Sequence, residues 1–509
     1  MNHAALAITT PIGVVGAGAM GAGIAQIAAA AGHTVRLLDN REDAARQAIE
    51  TIQAQFSKMA AKGKMTAEAA HAAGQRLHPA SAVAELADTG LIIEAIVENL
   101  EVKRQLFREL ETLCDASCIF ATNTSSISVT SIAAGLSNPK RLVGMHFFNP
   151  APLMALVEII SGLATDPALA QSLFDTAKAW GKTPVFAKST PGFIVNRVAR
   201  PFYAEALRLL HEGAADCATL DAIVREAGGF KMGPFELMDM IGHDVNFAVT
   251  QSVWRAFYHD PRFLPSLIQQ ELVDAGYLGK KTHRGFYDYA ANAVRLPPQT
   301  EAPLALPTHI TVCGTSKAAT ALVNRLTAAE INFNTATAHD SRIAEVDGVV
   351  IFETDGRSAT QRAHATGIQA LVLVDIALDY DKASRIALCL AQQASTKAHP
   401  AAVGLYQAAG YAVSTLNDVP GLAVMRTVAM LANEAADAVN QGVCDASGAD
   451  TAMQLGVNYP RGPLAWADDI GVANIQTVLS HLGAFYGEDR YRVSPLIQQA
   501  VYAGRTLHG

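Results

Sequence analysis

Ile12-Gly-Val-Val-Gly16-Ala-Gly18-Ala-Met-Gly21-Ala-Gly-Ile-Ala-Gln-Ile-Ala-Ala-Ala-Ala31 decides the fold, because a short β-type run passes through three spaced glycines into a small-residue helix. The first glycine permits a tight turn, the second lets a phosphate approach the backbone, and the third allows a helix to pack closely. Ala19 and Met20 open that helix, whose unpaired N–H groups face the same space. Val35–Leu38 reads as the next strand and ends at Asp39, 23 residues after Gly16. A carboxylate there accepts ribose hydroxyls and repels a 2′-phosphate, which favours NAD over NADP, although Arg41 nearby leaves some tolerance for NADP. Glycines also mark ordinary turns, so the reading rests on the flanking strand, helix and acid together.

Working outward, the 509 residues are 50% hydrophobic and 17% charged, with a net charge of -8. That length predicts about three or four domains, and the composition excludes a mainly disordered chain. With 39 Lys+Arg against 47 Asp+Glu and no basic block, no nucleic-acid partner is expected. Six scattered cysteines without a C-x-x-C pair fit a reducing cytoplasm, and no metal site is expected. Residues 1–35 hold no Asp, Glu, Lys or Arg, yet Pro11 and the glycines argue against a membrane span, and no positive segment precedes the apolar stretch as in a leader.

Leu296–Pro307 carries four prolines in twelve residues and reads as an extended connector. Before it, short apolar runs (Ile12–Val15, Val35–Leu38, Leu91–Ile93, Ile119–Ala121, Leu142–Met145, Val157–Ile160) alternate with helical patterns to about residue 188, which predicts an α/β domain with a mainly parallel sheet. Helical spacing then dominates. A repeat appears at an offset of 229: Pro191-Gly192 meets Pro420-Gly421, Glu205-Ala206 meets Glu434-Ala435, Gly233-Pro234 meets Gly462-Pro463, and Ile241-Gly242 meets Ile470-Gly471. Residues 308–412 again show β-like runs. The expected organisation is an α/β Rossmann-like domain (1–188), an all-α domain (189–292), a linker (293–307), a degenerate Rossmann-like domain (308–412) and a second helical domain (413–509).

Several polar groups follow predicted strands, where ligands of doubly wound sheets gather. After Ile92-Ile-Glu-Ala95, Glu98 and Lys103 are candidate contacts for the nicotinamide half, or a solvated charge pair at a helix start. Asn123-Thr-Ser125-Ser126 offers hydroxyl and amide groups, or a capping turn. His146 ends a strand, and Glu158 sits among Leu156, Val157, Ile159 and Ile160, where a carboxylate is costly without a partner. Paired, Glu158 orients the imidazole and leaves its other nitrogen free to remove a hydroxyl proton. A satisfied structural histidine beside Phe147 and Phe148 is the alternative.

Gly16–Gly21, Val97-Glu-Asn-Leu100, Asn123–Ser126, His146-Phe-Phe-Asn-Pro150, Val157-Glu158 and Pro191-Gly-Phe-Ile-Val-Asn-Arg197, in that order, resemble the signatures of the L-3-hydroxyacyl-CoA dehydrogenases. The resemblance covers residues 10–290 and ends in Gly279-Lys-Lys-Thr-His-Arg-Gly-Phe-Tyr287. It implies NAD as cofactor and an acyl-CoA substrate, with His146 as base, Glu158 as its partner, and Ser125 and Asn196 around the reacting oxygen. It also implies NAD contacts at Gly16, Gly18, Ala19, Met20, Gly21, Asp39, Ala95, Glu98, Lys103, Asn123 and Lys281, and a substrate contact at Asn149. The tandem length, with Arg197-Val-Ala-Arg-Pro-Phe202, Asp244–Thr250 and Arg262–Leu267, is most similar to the branch of the family that acts on 3-hydroxyadipyl-CoA in phenylacetate breakdown.

Coenzyme A needs cations, and Lys58, Lys62 and Lys64 at the end of the predicted helix Asp43–Ala61 are candidates beside the plain reading of a solvated helix end. Arg200 and Arg262 are candidates for a distal carboxylate. The second half lacks the fingerprint after Gly314, has no His-Phe-Phe-Asn-Pro, and puts Met425 at the place of Asn196, so one active site per chain is expected. Its helical domain is expected to pair with the first within the chain, with monomer and homodimer both open. A general 3-hydroxybutyryl-CoA or β-oxidation dehydrogenase is the alternative within the family. Two readings lie further off: a non-catalytic dinucleotide-binding protein, and a β-hydroxyacid dehydrogenase using Lys231.

Overall fold

The computed structural model describes residues 4–338 and 340–509 and divides them into two compact units. Unit 1 is residues 1–197 with 441–457; unit 2 is residues 198–440 with 458–509. The compact bodies therefore do not follow the five segments of the sequence, since the stretch 441–457 of the second copy belongs with unit 1.

Unit 1 holds an eight-stranded sheet of β1 (Ile12–Val15), β2 (Val35–Leu38), β3 (Leu77–Ala80), β4 (Leu91–Glu94), β5 (Ile119–Thr122), β6 (Leu142–Phe147), β7 (Leu156–Ser161) and β8 (Thr183–Lys188). Their order is β3-β2-β1-β4-β5-β6-β7-β8. All neighbours are parallel except β6 and β7, which are antiparallel. The order reverses at β1, between β2 and β4, which opens a crevice at the carboxyl ends of β1 and β4. Buried β-branched and leucine side chains fill the strands, and the helix Ala19–Ala30 packs its small residues against them. β3, with Pro79 in an edge position, carries no continuous apolar run, and β8, at the other edge, holds only the short run Val185–Ala187, so neither is among the strands read from the sequence.

Three glycines make the first turn. Gly16 has φ +105°, and a Cβ on it would stand 2.5 Å from the Ala95 carbonyl. One on Gly21 would stand 1.8 Å from the Gly16 carbonyl, so helix and turn meet too closely for any side chain. Gly18 faces open space.

Unit 2 begins with the helices Arg200–His211, Cys217–Glu226, Pro234–Ile241, His243–Ala256 and Leu267–Asp274, after which residues 293–307 form no regular element. A second, seven-stranded sheet follows: β9 (Ile310–Cys313), β10 (Asn334–Ala336), β11 (Arg342–Val346), β12 (Val349–Glu353), β13 (Leu371–Val374), β14 (Arg385–Leu390) and β15 (Ala412–Thr415), ordered β10-β9-β11-β12-β13-β14-β15. The offset of 229 carries β6 onto β13, β7 onto β14 and β8 onto β15, and the antiparallel step recurs between β13 and β14. Where β4 stands in unit 1, the second sheet has the antiparallel β11. A buried ion pair joins the helices Arg200–His211 and Val424–Asn440, Arg426 Nε donating to Glu205 at 2.7 Å, and Arg262, from the short turn Pro261–Phe263, pairs with Glu434 at 3.3 Å and with Asp437 on the second of these helices.

Candidate active site

In unit 1 the turn at Gly16 and the end of β2 enclose a cavity of about 750 Å³ lined by Gly16, Gly18, Asp39, Arg41, Ala95 and Val97 among others. The Ala17 N–H donates to Asp39 at 2.7 Å, fixing the acid beside the turn. The Arg41 guanidinium, 2.9 Å away, holds the Asp39 carboxyl down at about 2, so it is ionised throughout the neutral range. An adenosine ribose and its phosphates fit this donor and acceptor set: open backbone at Gly18, an uncapped helix start, and a permanent carboxylate.

Beside it lies a network that the spacing did not reveal. Glu94, fully buried at the end of β4, accepts from Lys103 Nζ at 2.5 Å, from the Ile96 N–H at 2.8 Å and from the Thr122 hydroxyl at 2.7 Å. Lys103 is 1% exposed and also reaches Glu98 at 3.2 Å, so its ammonium lies between two carboxylates. Glu98 accepts from the Thr124 hydroxyl at 2.5 Å, the Ser125 and Ser126 N–H groups at 3.2 Å, and the Ser126 hydroxyl at 2.8 Å. Burial acts to raise the Glu98 carboxyl, but the Thr124 hydroxyl and the Lys103 charge outweigh it and hold it below the ordinary range. Asn123, at the end of β5, accepts the Phe147 N–H at 2.8 Å and ties that strand to β6.

His146 and Glu158 face each other across the antiparallel pair β6 and β7. His146 Nδ1 lies 2.7 Å from Glu158 Oε2, with the pair almost wholly buried. Glu158 Oε1 accepts the Ile194 and Val195 N–H groups, each at 3.0 Å, where the helix Val195–Val198 starts. A carboxylate that accepts these donors leaves Nδ1 to carry the ring proton, so Nε2 presents a lone pair. Asn196 Nδ2 lies 3.5 Å from the Ser125 carbonyl, bringing that amide to the serine loop. The helix start at Ile194 and Val195 is a part of the site that carries no side-chain signal in the sequence.

With this geometry in place, comparison with known proteins decides the family. The model described as the 3-hydroxyacyl-CoA dehydrogenase NAD binding domain matches residues 11–190, and that of the C-terminal domain of the same family matches 192–289 and again 421–507. The chain belongs to the 3-hydroxyacyl-CoA dehydrogenases. Residues 351–420 match the reduced Rossmann-fold domain described for 3-hydroxybutyryl-CoA dehydrogenase. The 3-hydroxyadipyl-CoA dehydrogenase of Escherichia coli K12 is 43% identical over 488 residues, 96% of each chain. Human mitochondrial hydroxyacyl-coenzyme A dehydrogenase is 41% identical over 290 residues, 55% of this chain and 92% of its own. A crystal structure of 3-hydroxybutyryl-CoA dehydrogenase from E. coli K12 superposes with a TM-score of 0.89 at 41% identity, covering 97% of this chain and 98% of the other. This dehydrogenase is accordingly an NAD-dependent oxidoreductase of 3-hydroxyacyl-CoA compounds.

The remaining expected residues of the dehydrogenase fall in separate places. Lys58, Lys62, Lys64 and Asn149 are exposed in unit 1. Lys281, in unit 2, is 2.5 Å from Asp244. Arg200 and Arg262 are both buried in unit 2 and line one cavity of about 400 Å³ with Arg208 and Arg490, and Arg200 donates to the Thr250 hydroxyl at 3.1 Å. In the second copy, Asp375 stands 229 positions after His146 and Ala387 stands 229 after Glu158. No helix among the described residues is long and apolar enough to cross a membrane.

Proposed function

We propose that the dehydrogenase oxidises a 3-hydroxyacyl-CoA bearing a distal carboxylate, 3-hydroxyadipyl-CoA, in the breakdown of phenylacetate. The observation that carries the chemistry is the buried 2.7 Å contact between His146 and Glu158. NAD, held at the glycine turn and Asp39, supplies the acceptor for the hydride that leaves C3 of the substrate. His146 Nε2 takes the proton of the C3 hydroxyl, and Glu158 stabilises the imidazolium so formed. The same N–H, with Ser125 and Asn196, steadies the charge that develops on the oxygen. Glu158 does this without shifting, since two backbone N–H groups hold its other oxygen.

For the remaining contacts, Lys58 and Lys62 are assigned to the coenzyme A phosphates and Asn149 to the substrate. Arg200 is assigned to the distal carboxylate, and Lys281, with Ala95 and Asn123, to NAD. The identity of 43% to a 3-hydroxyadipyl-CoA dehydrogenase over almost the whole chain supports the substrate. The second helical copy is assigned the place of a partner subunit's helical domain, and six free thiols support a cytoplasmic setting.

NADH formation with 3-hydroxyadipyl-CoA and 3-hydroxybutyryl-CoA tests the substrate. The expected result is a higher kcat/KM for the adipyl compound, with Arg200→Ala erasing the difference; equal values in the wild-type protein contradict it. Loss of Lys58 and Lys62 to alanine is expected to raise KM for acyl-CoA several-fold at unchanged kcat, and an unchanged KM removes those contacts.

A further inference from the structure

Glu94 is one of the most completely enclosed charges in unit 1, and the sequence reading gave it no part. Its carboxylate joins four pieces of backbone. It ends β4, whose register sets it beside Val15 at the end of β1. It accepts the N–H of Ile96, and the Ala95 carbonyl in the same loop is the atom against which Gly16 must lack a side chain. It accepts the Thr122 hydroxyl at the end of β5, and it binds Lys103 from the helix Leu100–Leu113.

The charge then passes outward. Lys103 is held by Glu94 and reaches Glu98, and Glu98 is the acceptor for the backbone of both Ser125 and Ser126. Remove the negative charge at Glu94 and Lys103 has only Glu98 to neutralise it, so the ammonium and the Glu98 carboxylate close on each other. The serine loop must follow, because its two N–H groups end on that carboxylate. The glycine turn loses its fixed neighbour at the same time, since Ile96 N–H then has no charged acceptor.

We propose that Glu94 is a positioning residue, whose buried carboxylate sets Lys103 and Glu98 and thereby both the cofactor turn and the loop that presents Ser125. The proposal rests on the dehydrogenase reading of the site above. The second sheet supports it: there the antiparallel β11 replaces β4, so the place that would hold such an acid is gone from the copy without the histidine.

A buried pair that serves stability alone can be replaced by apolar side chains of similar volume without loss. That separates the two roles. Glu94→Gln and the double variant Glu94→Met with Lys103→Met are compared with the wild-type chain in three measurements: thermal unfolding of the protein without cofactor, NAD affinity by equilibrium fluorescence titration, and kinetics with 3-hydroxybutyryl-CoA. The double variant is expected to unfold within a few degrees of wild type yet bind NAD about tenfold more weakly and turn over about tenfold more slowly. Glu94→Gln is expected to share the loss of affinity and turnover. A double variant with wild-type affinity and kcat overturns the proposal and leaves the pair a stabilising contact only. If Glu94→Gln does not fold, Glu94→Asp, which keeps Lys103 and the charge but draws the carboxylate back, takes its place, and wild-type NAD affinity and kcat in a folded Glu94→Asp overturn the proposal. A wild-type chain that binds no NAD defeats instead the dehydrogenase reading beneath the proposal.

Discussion

The two copies of the sheet place an acid against the start of a helix in the same way and use it for different ends. In unit 1 Glu158, on β7, accepts the N–H groups of Ile194 and Val195 with one oxygen and holds His146 with the other. In unit 2 the residue at the place of His146 is Asp375, which accepts the N–H groups of Ala423 at 2.8 Å, Val424 at 2.6 Å and Met425 at 3.0 Å. Ala387, at the place of Glu158, offers only its carbonyl, to the Asp375 N–H at 2.9 Å. The scaffold needs a carboxylate to satisfy the helix start; only the first copy has one oxygen left over to orient an imidazole. The glycine turns differ likewise. A Cβ on Gly16 would strike a carbonyl, whereas one on Gly314 would find its nearest atom at 3.6 Å.

The comparison can be broken most forcefully at Glu158. Glu158→Gln keeps the shape and removes the charge proposed to stabilise the imidazolium, and kcat is expected to fall by roughly 10²-fold or more in NADH formation. A grafted pair, Asp375→His with Ala387→Glu, placed in a His146→Ala background, is expected to restore no turnover, because the second copy has Met425 for Asn196 and Thr315-Ser316-Lys317 after Gly314. Recovered activity there would show that the dyad suffices without the turn.

Stability comes next. Asp375→Ala strands four buried N–H groups, those of Ile376, Ala423, Val424 and Met425, and is expected to cost about 2–4 kcal/mol, read as a lowered Tm or denaturant midpoint. Burial pushes the Asp375 carboxyl up to about 6 from an ordinary 3.8. The folded form therefore favours the protonated acid. Its contribution is fully present below about pH 4 and is lost as pH rises through 6, with a slope that Asp375→Asn should remove from the stability profile. The smallest effect is expected at Asp39, where Asp39→Ala should weaken NAD binding about tenfold, by the loss of ribose hydrogen bonds to a charged acceptor, with little change in Tm.

How far these differences were legible depended on whether a function lay along the chain or across it. The glycines, Asp39 and the run around His146 are local, and their residue types point to the use proposed for them. The pairing of His146 with Glu158 was readable because an acid among four apolar neighbours demands a partner. Glu94 carried the same demand and was overlooked, because its partner Lys103 already had a plausible use at a helix start. The β3, β10 and β11 strands escaped pattern reading, since edge positions and polar residues leave no buried alternation to detect. The division at Arg197 and Gln441 depends on long-range packing and leaves no mark in composition.

The central claim is that an acid-held imidazole in the first copy alone does the chemistry. It is tested most directly by kcat for NADH formation in His146→Ala beside Asp375→Asn, both assayed well below their unfolding temperatures. The account predicts a fall of about 10²-fold or more in the first and turnover within about twofold of wild type in the second. Near-normal turnover in His146→Ala, or a comparable loss in a folded Asp375→Asn, would contradict it.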